Sequence, residues 1–386
     1  MGRLNRRRKK VRRSKPHADY SQLEPRRLLT GISLEIFNGL STVIVDGSAG
    51  NDTSEVFDLN QENFRVTLNG EQQTFARSDV QRIRFLGRSG DDAFTNHTDI
   101  DSAVFGHNGN DTLRGGDGHN WIQGGDGDDL IYGGDRNDRL RGRAGNDYID
   151  PGRRHDRVFG GDGNDEVVAS HGNDFILGES GSDILHGGDG TDTIYGGNGW
   201  DVIDGGNDAD HLFGGVGNDE ILGGAGNDIF HGNRGNVTLR GNVGNDEIFG
   251  DNGNDLLYGD TGFDDLWGSD GTDSIRGGTG NDNIRFGPGT SETVLLQGDF
   301  GDYTIVGSGP ALQITGNHAP DGVDMIWQPG TLRFQDIDRS AADFFVDLNE
   351  AETESLRLLN MLRQSVGLDA LTAVVDLSDY AEHWSH

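Results

Sequence analysis

The chain has 386 residues, 64 of them Gly, no Cys and a formal net charge of −33. It contains no run of eighteen apolar residues, which excludes a transmembrane helix, and without cysteine there is neither a disulfide framework nor a thiolate metal site. Residues 1–30 hold eleven Arg/Lys against two acids, whereas the rest of the chain holds 21 basic and 63 acidic groups, a body that repels nucleic acid and anionic membranes.

In chain order, residues 1–30 read as a basic, disordered tail. The cluster Arg6 to Arg13 has the charge of a signal n-region, but Gly31, Glu35 and Asn38 interrupt the apolar stretch that should follow. By itself the cluster also suits a nucleic-acid-binding arm. The segment Leu23-Glu24-Pro25-Arg26-Arg27-Leu28-Leu29 resembles the LEPR-XLL motif near the N-terminus of large bacterial surface proteins, which implies a sorting tag. Residues 31–105 read as short strands and turns, with strands at Ser41–Val45, Phe64–Leu68 and Gln81–Phe85. The nonapeptides GSAGNDTSE at 47–55 and GRSGDDAFT at 87–95 are isolated copies of the unit described next. This region is expected to be a β-rich N-terminal cap, because a solenoid must shield its first coil.

From Gly106 to Arg285 a nine-residue unit, G-G-x-G-x-D-x-U-x with U apolar, recurs twenty times without insertion or deletion. Position one is Gly in 18 copies (not Pro151 or Ala169), and position four in 17 (not Arg136, Arg154 or Asp208). Position six is Asp in 18, with Asn120 and Val237 as exceptions, and position eight is apolar in all 20. The glycines mark turns that need unusual backbone or close approach. One apolar residue in nine, flanked by a short strand, makes a thin core. The acidic turns repel one another, so a cation must lie between them. A hard ion taking six to eight oxygens suits Asp carboxylates and glycine carbonyls, whereas the few histidines recur at no fixed position. A disordered acidic linker is the competing reading, and the unbroken register opposes it.

The unit resembles the hemolysin-type (RTX) calcium-binding repeat of secreted bacterial proteins. That resemblance implies an all-β fold, a right-handed parallel β-roll with two units per coil, ten coils in the array and a calcium ion between turns of units n and n+2. The candidate ligands are Asp111, Asp129, Asp147, Asp165, Asp183, Asp201 and Asp219 on one edge with Asp255 and Asp273, and Asp174, Asp192, Asp210, Asp228, Asp246, Asp264 and Asp282 on the other. The altered turns at Asn120, Arg136, Arg154 and Asp208 all fall in even-numbered units. Arg136 and Arg154, one coil apart beside Asp138 and Asp156, are therefore expected to bridge those carboxylates in place of an ion.

Residues 286–345 carry strand signals again (Val294–Leu296, Tyr303–Val306, Leu312–Ile314, Met325–Trp327, Leu332–Phe334) and resemble the β module that follows RTX arrays, a C-terminal cap. From 346 to 386 the pattern turns helical, with Leu358, Leu359, Leu362 and Val366 on one face and Gly367 as a stop. The stretch LLNMLRQSVGLDALTAVVDLSDYAEHWSH resembles the first two helices of the CAP (SCP-like) superfamily at Asn360, Arg363, Gly367, Leu371, Leu377, Ala381 and Trp384, which implies the beginning of a domain that is truncated here. His383 and His386 are read as exposed helix residues.

Three function classes compete. An exported hydrolase needs H-E-x-x-H or G-x-S-x-G, and neither occurs; GESGS at 178–182 lacks the last Gly. A pore-forming RTX cytolysin implies acylated lysines and apolar segments, but the only lysines are Lys9, Lys10 and Lys15. The favoured expectation is a non-enzymatic, calcium-binding structural or interaction protein. It is expected outside the cell or on a bacterial surface, with calcium and cell-surface or matrix components as partners and neither nucleic acid nor membrane insertion. The alternative is a non-catalytic secretion and folding module of an exported hydrolase or CAP-domain protein.

Overall fold

The computed structural model describes residues 31–37, 39–287 and 293–296, and the strands Tyr303–Val306, Ala311–Gly316, Val323–Trp327, Thr331–Arg333 and Asp338–Ser340. The basic tail, the Leu23–Leu29 motif and the stretch 346–386, expected to be helical and CAP-like, lie outside the described residues.

Each nonapeptide of the array folds as a turn followed by a short strand, and two units complete one coil. Every strand therefore pairs, parallel, with the strand eighteen residues on. In one sheet Ile122 sits beside Leu140, Leu140 beside Val158 and Val158 beside Ile176. In the opposite sheet Leu113 sits beside Ile131 and Ile131 beside Ile149. The period-two alternation of a strand puts position eight inside and positions seven and nine outside. All twenty position-eight side chains, from Leu113 to Ile284, are buried between the two sheets as one continuous column. The result is a parallel β-solenoid, and among the described residues the only helical turn is a 3-10 turn at Arg77–Asp79.

The solenoid runs past the twenty units at both ends, to about twelve turns. Before the array, Leu40–Asp46 lies parallel to Arg82–Ser89 with Val43 beside Ile83, and Thr53–Asp58 lies parallel to Ala93–Asn96 with Ser54 beside Phe94. That first coil takes 40 residues, from Thr42 to its neighbour Arg82, because the antiparallel strands Asn63–Leu68 and Glu71–Ala76 are inserted after Thr53–Asp58. After the array, Asn283–Arg285 pairs with Val323–Trp327, and Ser274–Thr279 with Thr293–Leu295.

The outer face of one sheet carries a ladder of rings at position nine of the even units. Tyr195, Phe213, His231, Phe249 and Trp267 lie one per coil, with successive centroids 4.5, 5.4, 4.7 and 4.5 Å apart and planes within 10° of parallel. The Arg285 guanidinium lies over Trp267 at 4.7 Å and closes that end of the stack.

Candidate metal centre

The turns linking the two sheets form the two edges of the rod, odd units on one and even units on the other. Each position-six aspartate points inward and is 0–4% exposed. Its Oδ1 accepts the backbone N–H of the equivalent residue one coil earlier. Asp111 N–H reaches Asp129 Oδ1 at 2.8 Å and Asp129 N–H reaches Asp147 Oδ1 at 2.8 Å; on the even edge Asp174 N–H reaches Asp192 Oδ1 at 2.7 Å. The second oxygen is the informative one. Oδ2 is buried without a hydrogen-bond donor in the array aspartates from Asp111 to Asp264 and in Asp282. An isolated buried carboxylate oxygen is costly, and a regular column of them on each edge is a demand for cations.

The surroundings of Oδ2 are oxygen-rich and have no room for a side chain. A Cβ placed on Gly250 would lie 2.5 Å from Asp255 Oδ2 and 2.8 Å from the Gly268 carbonyl oxygen, one coil on. That is the physical reason for glycine at position one: it leaves open a cradle between a carboxylate and a carbonyl. Glycine at position four answers a different need, since Gly190 adopts φ +122°.

Asn120 reveals the rest of the ligand set. Its Nδ2 occupies the place that neighbouring coils give to Oδ2. From there it lies 3.0, 2.9 and 3.1 Å from the carbonyl oxygens of Gly116, Gly118 and Gly133. Ser102 Oγ donates to its Oδ1 at 2.7 Å, which fixes the orientation of the amide. Carbonyls at positions two and four, and at position one of the next coil, thus converge on a donor where a donor is present. Where an aspartate is present, Oδ2 stands in that place without a donor, beside the position-one carbonyl of the next coil, an arrangement that a cation would satisfy. Among the described residues no three acidic or histidine side chains meet at one point. A hard, oxygen-seeking ion with flexible geometry fits this set.

Burial raises these carboxyls strongly in the absence of metal. Asp129, Asp156 and Asp210 are pushed up to about 8, chiefly by desolvation and then by the charges of neighbouring aspartates.

All sixteen aspartates singled out in the sequence occupy this ladder geometry. Four further positions share it. Asp138 and Asp156 belong to the even ladder: Asp138 N–H reaches Asp156 Oδ1 at 2.7 Å and both keep an orphaned Oδ2. The expected arginine bridge is absent, because Arg136 and Arg154 are exposed and reach neither carboxylate. Asp92 precedes the array and accepts Asp52 N–H at 2.7 Å, and Asp324 follows it, accepting Asp282 N–H at 3.2 Å. The nonapeptide at 87–95 was the available signal for Asp92; Asp324 has none, since 42 residues separate it from Asp282. Val237 breaks the odd ladder: its Cγ2 would meet a Cβ on Gly232 at 2.6 Å, filling the cradle with a methyl group.

Position five, read as a free position in the unit, is also used. Its side chain accepts the N–H of the coil after: Asp128 N–H to Asn110 Oδ1 at 3.0 Å, Asn146 N–H to Asp128 Oδ1 at 2.8 Å, Asn164 N–H to Asn146 Oδ1 at 2.8 Å.

Residues 105–291 match, in eight overlapping segments, the RTX calcium-binding nonapeptide repeat. These are RTX calcium-binding repeats. The RTX β-roll is a structural calcium-binding module, and the oxygen cradles just described are where this array would hold the ion. The match does not extend to the N-terminal motif or the CAP-like stretch. No curated protein matches the chain. No helix among the described residues is long and apolar enough to cross a membrane.

Proposed function

We propose that the chain is a secreted or cell-surface structural and interaction protein whose rod forms where calcium is plentiful. The observation that carries this reading is the double column of buried, donorless carboxylate oxygens. A fold with so much uncompensated negative charge and one apolar side chain per nine residues is not self-sufficient. Extracellular calcium modules bind at about 10⁻⁴–10⁻³ M, a range that leaves such a chain unfolded at cytosolic calcium and folded outside. Binding to the native state alone makes folding and metal uptake one transition. The ion supplies charge neutralisation and bridges consecutive coils; the chain supplies Asp Oδ2, the glycine carbonyls and the exclusion of side chains from the cradle. The position-six aspartates from Asp111 to Asp282 are the proposed ligands, joined by Asp92; Asp156 and Asp174, whose units open with Pro151 and Ala169 and so carry a Cβ at the cradle, are expected to hold the ion most weakly.

Far-UV circular dichroism against free calcium, with magnesium as control, tests the reading. Parallel-sheet signal should appear cooperatively with calcium and not with magnesium, whose octahedral preference the carbonyl cradle does not meet. A β signal that persists in chelator at low salt would overturn it.

A further inference from the structure

The two ladders do not begin with ion sites. On the even edge the first turn of the array is closed by the Asn120 amide, which donates into the three carbonyls that converge on it. The turn one coil earlier is closed by side chains too, from a different position. Asn96 Nδ2 donates to the Ile100 carbonyl at 2.9 Å, Asn96 Oδ1 takes both the Thr98 N–H at 3.0 Å and Thr98 Oγ1 at 2.7 Å, and Ile100 N–H reaches Thr98 Oγ1 at 3.2 Å. On the odd edge the first aspartate, Asp52, is also satisfied by protein: Ser48 N–H and Ser48 Oγ reach its Oδ2 at 2.5 and 3.1 Å, and Asn69 Nδ2 donates to its Oδ1. Orphaned carboxylate oxygens start only at Asp92 on one edge and Asp138 on the other.

The same end of the rod has a denser core than the array. The array buries one large side chain per nine residues. Between Val43 and Val104 the first coils bury Val56, Phe64, Val66, Phe75, Ile83 and Phe85 among others. Phe64 stacks on Phe75 at 5.7 Å and Phe85 on Phe94 at 5.0 Å. The antiparallel strands of residues 31–76 are local in sequence, which lowers the entropy of forming them.

We propose that residues 31–105, sealed against the array by the Asn120 turn and holding Asp92, at the junction with Gly106, as the one orphaned carboxylate among their described residues, fold without calcium and act as the template on which the calcium-loaded coils are laid down from the N-terminal side. This rests on the reading that the array itself needs calcium. In solenoids each coil is stabilised only by its neighbours, so a preformed end removes the cost of nucleation and gives assembly a direction. Three groups that do not need an ion, Asn96, Asn120 and Asp52 with its donors, close the turns there without one.

Hydrogen exchange of the full chain, read by mass spectrometry of peptides, tests this. In chelator, peptides from 40–105 should exchange at least about tenfold more slowly than peptides from 124–285, and calcium should then slow the latter. If both regions exchange fast in chelator and calcium then slows the array, the proposal fails while calcium dependence stands; if the array alone is protected in chelator, both fail. If both are protected in chelator, the calcium-dependent reading fails and the proposal with it. Asn120→Asp turns the internal donor into an acceptor among acceptors. In chelator, peptides within 96–123 should lose at least about tenfold in protection and regain it with calcium. Unchanged protection in chelator, or a loss that calcium does not restore, would show that the amide does not stand in an ion's place and would overturn the proposal.

Discussion

Gly250→Ala adds one methyl group to a buried cradle. The new Cβ would lie 2.5 Å from Asp255 Oδ2 and 2.8 Å from the Gly268 carbonyl oxygen, distances at which a calcium ion, not a carbon, is at home. Gly250 does not have positive φ, so backbone strain does not enter, and its N–H bond to the Trp267 carbonyl is retained. Two costs remain. Overpacking a tight site costs about 1–3 kcal/mol. Losing an ion of about 10⁻⁴–10⁻³ M affinity at about 10 mM free calcium costs a further ~1.4–2.7 kcal/mol by mass action. The expected sum is roughly 2–6 kcal/mol, with bound calcium reduced by about one ion per chain. Urea unfolding in calcium measures the first quantity, and metal analysis after equilibrium dialysis the second. Glu247→Gln, an exposed strand position of the preceding unit, serves as control and should stay within about 0.5 kcal/mol. Full calcium content together with an unshifted urea midpoint would refute the assignment of this cradle as an ion site.

Val237→Asp should fill the gap in the odd ladder, raising the calcium content by about one or two ions and lowering the calcium midpoint of folding; unchanged metal analysis would count against the ladder geometry. In chelator, lowering pH should promote β structure. The folded-state carboxyls at Asp129, Asp156 and Asp210 sit near 8 against an unfolded value of 3.8, so the native chain takes up protons first and gains stability as pH falls from about 8 toward 4. The same protons oppose calcium, so the calcium midpoint should be higher at pH 6 than at pH 8, and a midpoint indifferent to pH would contradict the burial argument. Phe213→Ala removes a ring with stacked partners on both sides, and at about 0.5–1.5 kcal/mol per pair it should cost roughly 1–3 kcal/mol in saturating calcium. A urea midpoint that does not move would mean that the ring ladder contributes nothing.

Much of this architecture is legible in the sequence because a coil is two units long and every unit repeats the same physical compromise. The apolar position eight, the glycine turns and Asp at position six announce sheets, edges and cation demand from residue 106 to 285. What stayed hidden depends on contacts eighteen or more residues apart. Asn120 reads as a damaged ligand; only its approach to three carbonyls shows that an amide replaces the ion. Arg136 and Arg154 read as bridges because they neighbour acids in sequence, yet the aspartates turn inward while the arginines face solvent. Position five looks unconstrained because its role is to accept an N–H from the next coil, which Asn, Asp, Ser and His all do. Asp52 and Asp92 are separated by 40 residues, so their common ladder follows from the inserted antiparallel strands and not from any local spacing.

The unbroken register of the array constrains how such a protein changes length. Removing or adding eighteen residues leaves each sheet, each edge and each ring stack with its proper neighbour. A change of nine would preserve every glycine turn and still exchange the two sheets downstream. Tyr195, Phe213 and the rings after them would move to the opposite face, away from Phe159 and Phe175, and the ring stack would be broken at that coil. The repeat of nine seen in the sequence is thus half of the unit on which inheritance can act, and the array lengthens or shortens in whole coils.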